Sequence, residues 1–156
     1  MYDRTKRTDA DTLNFEPTSE TCPEHKLSGS EMLAQHEELL LLIDEIEGAL
    51  SVALTDDSEA LRAQLARRLT LLIGLLQTHF AAEGKSLASD FEDAPELREV
   101  FRTLDNEHPQ LLKHFRNALA AIEQNRNIEE AAQLLQTSID LFRDHEARED
   151  ALFASE

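Results

Sequence analysis

The sequence is short of the residues that build disulfides, tight turns and sheets. Its 156 residues include a single cysteine (Cys22), four glycines, four prolines, one tyrosine and no tryptophan. One cysteine excludes an intrachain disulfide, and it excludes any metal site built from a pair of cysteines. Leucine and alanine are abundant instead, and this balance favours helices over strands. We therefore predict an all-α protein.

Basic residues are also scarce. The chain has 15 lysines and arginines against 32 aspartates and glutamates, which gives a formal net charge of −17 at pH 7. Binding to nucleic acid or to an anionic membrane surface needs a basic face, so neither partner is expected. No apolar run reaches membrane-spanning length, and the first residues lack the apolar core of a signal peptide. We expect a cytoplasmic protein.

Four amphipathic segments follow an irregular start. Residues 1–27 contain two prolines and show no helical period, so we predict an N-terminal arm. Residues 28–156 are predicted to form one domain. The apolar period within it predicts helices over 30–54, 58–88, 95–125 and 128–153. The connections are short, so consecutive helices run antiparallel and the domain is an up-down-up-down four-helix bundle.

The starts of three helices carry capping signals. Ser28 with Glu31 forms a capping box, and Asp57 and Asn127 are predicted N-caps of the second and fourth helices. Pro109 interrupts the third helix, because proline removes a backbone donor and clashes with the preceding turn. Either this helix kinks, or one helix stops near Asp105 and another begins at Pro109.

Each predicted helix has one histidine on its apolar stripe, and two of the stripes also contain a glutamate four residues later. The histidines are His36, His79, His108 and His145, and the glutamates are Glu83 and Glu149. Counted from the predicted turns, histidines on neighbouring helices differ in level by at most about three residues, or about 5 Å. The four helices therefore bring these side chains to one layer of the bundle.

Buried carboxylates need partners, and this need points to metal. One histidine on an apolar face is usually a core residue with a hydrogen-bond partner, but an unpaired buried glutamate is very costly. Positions i and i+4 share a helix face, so His79 with Glu83 and His145 with Glu149 form two nitrogen–oxygen pairs aimed inward. Imidazole and carboxylate suit iron, zinc or manganese. Four nitrogens and two carboxylates exceed the needs of one tetrahedral zinc and fit two metals.

These residues resemble the hemerythrin-like, or HHE cation-binding, domains. The pattern is His36 in the first helix, HxxxE from His79 in the second, "EHPQLL" around His108 in the third and "HEARED" from His145 in the fourth. It covers about residues 30 to 153. The resemblance implies a non-haem di-iron centre, with two irons bridged by carboxylates and an oxo or hydroxo group. Members of the family bind O2, sense oxygen or iron, or react with peroxide or nitric oxide.

The sequence departs from the oxygen carriers of this family in two places. Carriers have HxxxH in the third helix, but Leu112 stands four residues after His108. Carriers also use an aspartate five residues after the last histidine. Here Asp150 is about 140° from His145 around the helix, whereas Glu149 is about 40° away. We predict Glu149 as the ligand, with Asp150 as the alternative. The set resembles sensing and stress-related members more than carriers.

Other polar residues receive different predictions. His114 lies on the wet face of its helix and is predicted to be exposed, while Cys22 and His25 belong to the arm. The glutamates beside the predicted ligands are expected to be solvated or to orient an imidazole from outside; they are Glu37, Glu107 and Glu146.

Two other functions compete with the di-iron hypothesis. A histidine phosphotransfer module needs one exposed histidine, and "HFAAEGK" has a lysine and glycine after His79. A metal-free helical interaction protein would need none of the six polar residues. If the protein is an enzyme, peroxide disproportionation is the expected activity.

Overall fold

The computed structural model describes residues 29–91 and 93–154, which form five α-helices. They are α1 (Gly29–Thr55), α2 (Glu59–Asp90), α3 (Pro95–Asp105), α4 (His108–Glu123) and α5 (Ile128–Ala154). Helix α1 packs on α2 and α5, and α4 packs on the same two helices. The short helix α3 precedes α4 and also contacts α2 and α5. The predicted all-α four-helix bundle is confirmed. The predicted arm and its Cys22, His25 and the Ser28 cap lie outside the described residues.

None of the described helices combines the length and the apolar composition needed to cross a membrane. The helices are instead amphipathic, with buried and exposed positions alternating at helical spacing along most of their length.

The N-cap of α2 differs from the prediction. The backbone N–H of Leu61 donates to Ser58 Oγ at 3.2 Å, so Ser58 is the cap. Asp57 accepts two hydrogen bonds from the Arg62 guanidinium, at 2.5 and 3.0 Å. The prediction that Asp57 caps α2 was wrong, because its carboxylate pairs with the Arg62 guanidinium instead of a backbone N–H. Asn127 does cap α5, since its Oδ1 accepts from the Glu129 N–H at 2.8 Å.

The third predicted helix is broken in two, as the second alternative for Pro109 required. Helix α3 ends at Asp105, and α4 begins at His108 with Pro109 in its first turn. Proline is well placed there, since the first N–H groups of a helix have no partner within it. The break puts His108 at the very start of α4.

The apolar core is divided into two clusters by a polar layer. A large cluster fills most of the bundle and includes Leu76, Leu111 and Phe142. A smaller one closes the other end and consists of Met32, Phe91, Phe101, Leu104 and Leu152. On α1 and α5 the predicted polar residues fall between members of the two clusters, and His108 falls between Leu104 and Leu111. This order positions the site away from both ends of the core.

Two leucines that lie three and four residues before a predicted ligand histidine, and so share its helix face, are exposed. Leu33 of α1 is 42% exposed and Leu141 of α5 is 40% exposed, while their neighbours Met32 and Phe142 are fully buried. Both helices have apolar residues on more than one face, so the sequence allowed two phases for the buried stripe.

Candidate metal centre

All six predicted site residues lie in the polar layer, and all six are buried. Their exposed fractions run from 0 to 5%, for His36, His79, Glu83, His108, His145 and Glu149. They come from α1, α2, α4 and α5, so each of the four helices of the bundle contributes at least one residue. Ionisable groups are almost never buried this fully unless they are paired.

Two of the pairs lie within single helices. His79 Nε2 is 2.7 Å from Glu83 Oε1, and His145 Nε2 is 2.8 Å from Glu149 Oε1. Both pairs span four residues, and side chains at this spacing stack on one helix face. The helical period alone therefore sets these two nitrogen–oxygen pairs.

Glu83 and Glu149 also reach histidines of other helices. The Glu83 carboxylate is 3.0 Å from His36 Nε2 and 3.3 Å from His108 Nε2. The Glu149 carboxylate is 3.5 Å from His36 Nε2 and 3.4 Å from His108 Nε2. Each carboxylate thus lies between imidazoles on both sides of the layer.

The potential ligand atoms form two overlapping groups. In each group, one atom from every residue lies within 4.8 Å of the others. The first group, called here the α1–α2 position, consists of His36, His79, Glu83, Glu146 and Glu149. The second, called the α4–α5 position, consists of Glu83, His108, His145 and Glu149. The two positions share both Glu83 and Glu149.

Several buried atoms of the layer lack a hydrogen bond. Among the described residues, His79 Nε2, Glu83 Oε2 and Glu149 Oε2 have no hydrogen-bond partner. His79 Nε2 does lie near Glu83 Oε1, but the contact lacks hydrogen-bond geometry. A buried polar atom left without a partner costs about 1 to 3 kcal/mol. Cations bound to these atoms would remove the cost, and imidazole with carboxylate suits iron, zinc and manganese, so the residues fit a metal.

The outer nitrogens of three histidines are held by oxygen acceptors. His79 Nδ1 donates to Gln35 Oε1 at 2.7 Å, and His36 Nδ1 donates to Asp150 Oδ1 at 2.8 Å. In the third case His145 Nδ1 donates to Glu107 at 2.8 Å. In a neutral imidazole whose single proton is on Nδ1, as metal binding requires, the lone pair of Nε2 would point into the layer.

Carboxylates that flank the site occupy distinct places. Glu107 is fixed by two hydrogen bonds from Arg148, both 2.7 Å, and orients His145 from outside. Asp150 touches the outer nitrogen of His36 and is half-exposed, whereas Glu149 lies inside. Glu37 is exposed. Glu146 is the residue that sequence reasoning missed, since it is only 2% exposed and belongs to the α1–α2 position.

Protons supply positive charge to the layer in the metal-free protein. Burial acts to lower the pKa of His36, but its contacts with Glu146 and Glu83 outweigh burial and raise it to about 11. The pKa of His108 rises to about 9, because Glu149 and Glu83 likewise outweigh the effect of burial. Burial raises the pKa of the Glu146 carboxyl. In the metal-free protein these protons partly neutralise the buried carboxylates of the layer.

The pH dependence of the metal-free protein follows from these shifts. An unfolded histidine has a pKa near 6.5, so the bound protons stabilise the fold most fully below that pH. The contribution is lost as the pH rises through about 9 for His108 and about 11 for His36. We expect the free energy of unfolding of the metal-free protein, measured with urea, to fall from about pH 7 to about pH 10.

A matched pair of variants isolates the layer in that experiment. His36→Gln should make the fall with pH shallower, whereas His114→Gln, on α4 outside both positions, should leave it unchanged. Metal-loaded protein should show a weaker fall, since ligating nitrogens carry no proton. Equal slopes for the wild type and His36→Gln would contradict this account.

The remaining histidine assignments separate the competing functions. His114 was predicted to be exposed, and it is instead half-buried and belongs to neither position. His79, the candidate phosphorylation site, is 4% exposed, so a kinase could not reach its imidazole without opening the bundle. The buried geometry disfavours the phosphotransfer alternative.

Comparison with known proteins agrees with this geometry. The family model of the hemerythrin HHE cation binding domain matches residues 29–155, which include all five helices. No curated protein and no solved structure matches the chain. The match spans most of the sequence and includes every residue of both positions. The chain therefore belongs to the hemerythrin HHE cation-binding family.

Proposed function

We propose that this protein binds two iron ions, one at each position of the polar layer. The proposed ligands are His36, His79, Glu83, His108, His145 and Glu149. The observation that carries the proposal is the sharing of Glu83 and Glu149 by two groups of ligand atoms. Carboxylates can bridge neighbouring metals, and two divalent cations would balance the negative charge that the buried glutamates concentrate in the layer.

Iron is the proposed occupant, although zinc or manganese would suit the same nitrogen and oxygen ligands. A bound di-iron centre would supply reactivity toward O2, peroxide or nitric oxide, and the protein would react with or sense one of these molecules or iron itself. The six proposed ligands are buried, and an aromatic ring packs against one of them. Phe80 stacks on His108 with the ring planes 4° apart and the centroids separated by 3.9 Å.

The sequence of α4 favours reaction or sensing over oxygen carriage. Leu112 occupies the place where carriers have a second histidine, so the α4–α5 position has two imidazoles and the two shared carboxylates. Fewer protein ligands leave room on a metal for a small molecule. If the protein turns a substrate over, peroxide disproportionation is the activity that such an open position best supports.

A cavity between α1 and α2 supports access by a small molecule. It has a volume of about 190 Å³ and is bordered by His79, Gln35 and Ala82 among others. His79 lines the cavity and also belongs to the α1–α2 position, so the cavity reaches the edge of the polar layer. A diatomic gas or peroxide is small enough to enter by this route.

Metal analysis of protein purified without oxygen tests the proposed function. We expect about two irons per chain, as in other di-iron helix bundles, and new near-ultraviolet absorption after exposure to air. Addition of peroxide or nitric oxide to the reduced protein should then change the spectrum. If the protein takes up no iron even after anaerobic reconstitution, the proposal is wrong and a metal-free helical interaction protein becomes the better interpretation.

A further inference from the structure

We propose that Glu146 is a seventh metal ligand and that it serves only the α1–α2 position. This inference rests on the proposed di-iron function and adds a residue that the sequence pattern places outside the site. It makes the two metal positions chemically unequal.

The Glu146 carboxylate is buried in a manner that calls for a cation. The side chain is 2% exposed, and neither Oε1 nor Oε2 has a hydrogen bond among the described residues. Its Oε2 forms an ion pair with His36 Nδ1 at 2.9 Å only while His36 is protonated, and the Nδ1–H hydrogen bond goes to Asp150. A buried carboxylate without hydrogen bonds is very costly, and coordination of a cation removes that cost.

The carboxylate also lies among ligand atoms of one position and not of the other. One of its oxygens is within 4.8 Å of ligand atoms from His36, His79, Glu83 and Glu149. Glu146 and Glu149 are three residues apart on α5, which makes them neighbours on the helix surface. Helix α5 therefore offers Glu149, which both positions share, and Glu146, which lies close to His36 of α1.

Among the described residues, the α4–α5 position has no equivalent buried carboxylate, since Asp105, 3.3 Å from His108 Nδ1, is 42% exposed. Glu107, the carboxylate beside His145, is engaged by two hydrogen bonds from Arg148 and by the outer nitrogen of the imidazole. The α1–α2 position thus offers five protein ligands and the α4–α5 position offers four. The first should bind its metal more tightly, and the second should keep more room for an external molecule.

Glu146→Gln tests this inference, with Asp150→Asn as the matched control. Both carboxylates approach the outer nitrogen of His36, at 2.9 and 2.8 Å, so a mere loss of orientation would affect the two variants alike. Metal-free protein is titrated with Co²⁺ against a chelator, and the visible absorption reports the coordination number. We expect Glu146→Gln to weaken one of two binding steps by more than about a hundredfold, beyond the roughly 10–100-fold typical of outer groups.

The spectrum and the stability of the variants complete the test. The weakened step of Glu146→Gln should show the stronger absorption bands of lower-coordinate cobalt. Asp150→Asn should keep the wild-type spectrum and lose about 10–100-fold in affinity. Metal-free Glu146→Gln should keep the circular dichroism spectrum of the wild type and unfold cooperatively, at a lower temperature because it loses the ion pair with His36. This readout excludes misfolding as the cause of lost binding.

The outcomes distinguish this inference from the proposed function. If wild-type protein binds two metals and Glu146→Gln matches either the wild type or Asp150→Asn in both steps, Glu146 is no ligand and the inference alone is overturned. If wild-type protein binds neither Co²⁺ nor iron, the proposed function fails first.

Discussion

Replacing Glu83 by glutamine is expected to remove both metals from the protein at once. The Glu83 carboxylate lies within 3.3 Å of nitrogens from His36, His79 and His108, and it belongs to both positions. Glutamine is nearly the same size, but its amide nitrogen cannot ligate a cation and its charge is zero. We expect both binding steps to weaken by more than about a hundredfold, measured by titration against a chelator and by metal analysis.

The control for this substitution is Glu45→Gln, which removes the same charge from an exposed position on α1. It should bind both metals as the wild type does. A circular dichroism spectrum equal to that of the wild type would show that Glu83→Gln is folded. Loss of only one metal would contradict a shared carboxylate, and it would place Glu83 beside Glu146 as a ligand of one position.

The sequence was enough to predict which polar residues come together, because a buried polar side chain needs a partner inside the bundle. A glutamate in line with leucines, such as Glu83 after Leu76 and His79, needs a partner inside the bundle. The i, i+4 spacing then fixes the pair on one helix, and the helix lengths bring neighbouring pairs to one level. Their assignment as metal ligands stays a prediction that the titrations above decide.

The sequence was less informative about which face of α1 and α5 is buried. In "HEELLLLIDEIE" four leucines follow one another, so the pattern allows more than one buried stripe. Packing selects Leu39 and Ile43 and leaves Leu41 65% exposed. The choice depends on how each helix is rotated against its neighbours, and that rotation is set by contacts between distant parts of the chain.

Glu146 was missed for a related reason. It is one residue from His145, or about 100° around the helix, which by the local period alone is a position at the edge of the core. Its burial depends on the close approach of α1, whose His36 covers it. The N-cap of α2 shows the same limit on a small scale. Only Asp57 was predicted, but Arg62 engages Asp57 and Ser58 is the cap.

Metal binding is expected to raise the melting temperature by a large amount, and removal of metal should reverse the change. The polar layer separates two apolar clusters, so without cations the centre of the bundle holds several buried polar atoms that lack hydrogen bonds. At free metal a thousandfold above its dissociation constant, one site adds about 4 kcal/mol to the free energy of unfolding. For a domain of this size that corresponds to about 8–16 °C per site.

Thermal unfolding with added Fe²⁺ under argon, and again after excess chelator, measures this effect. Glu83→Gln is the decisive comparison, because it should melt at one temperature whether or not metal is present. The same variant also separates the di-iron protein from a metal-free scaffold. In a scaffold, added metal would leave the wild-type melting temperature unchanged, and Glu83→Gln would change the melting temperature by the same amount with and without metal. In the di-iron protein, Glu83→Gln should lower the melting temperature of metal-loaded samples by the full increment that the metals add.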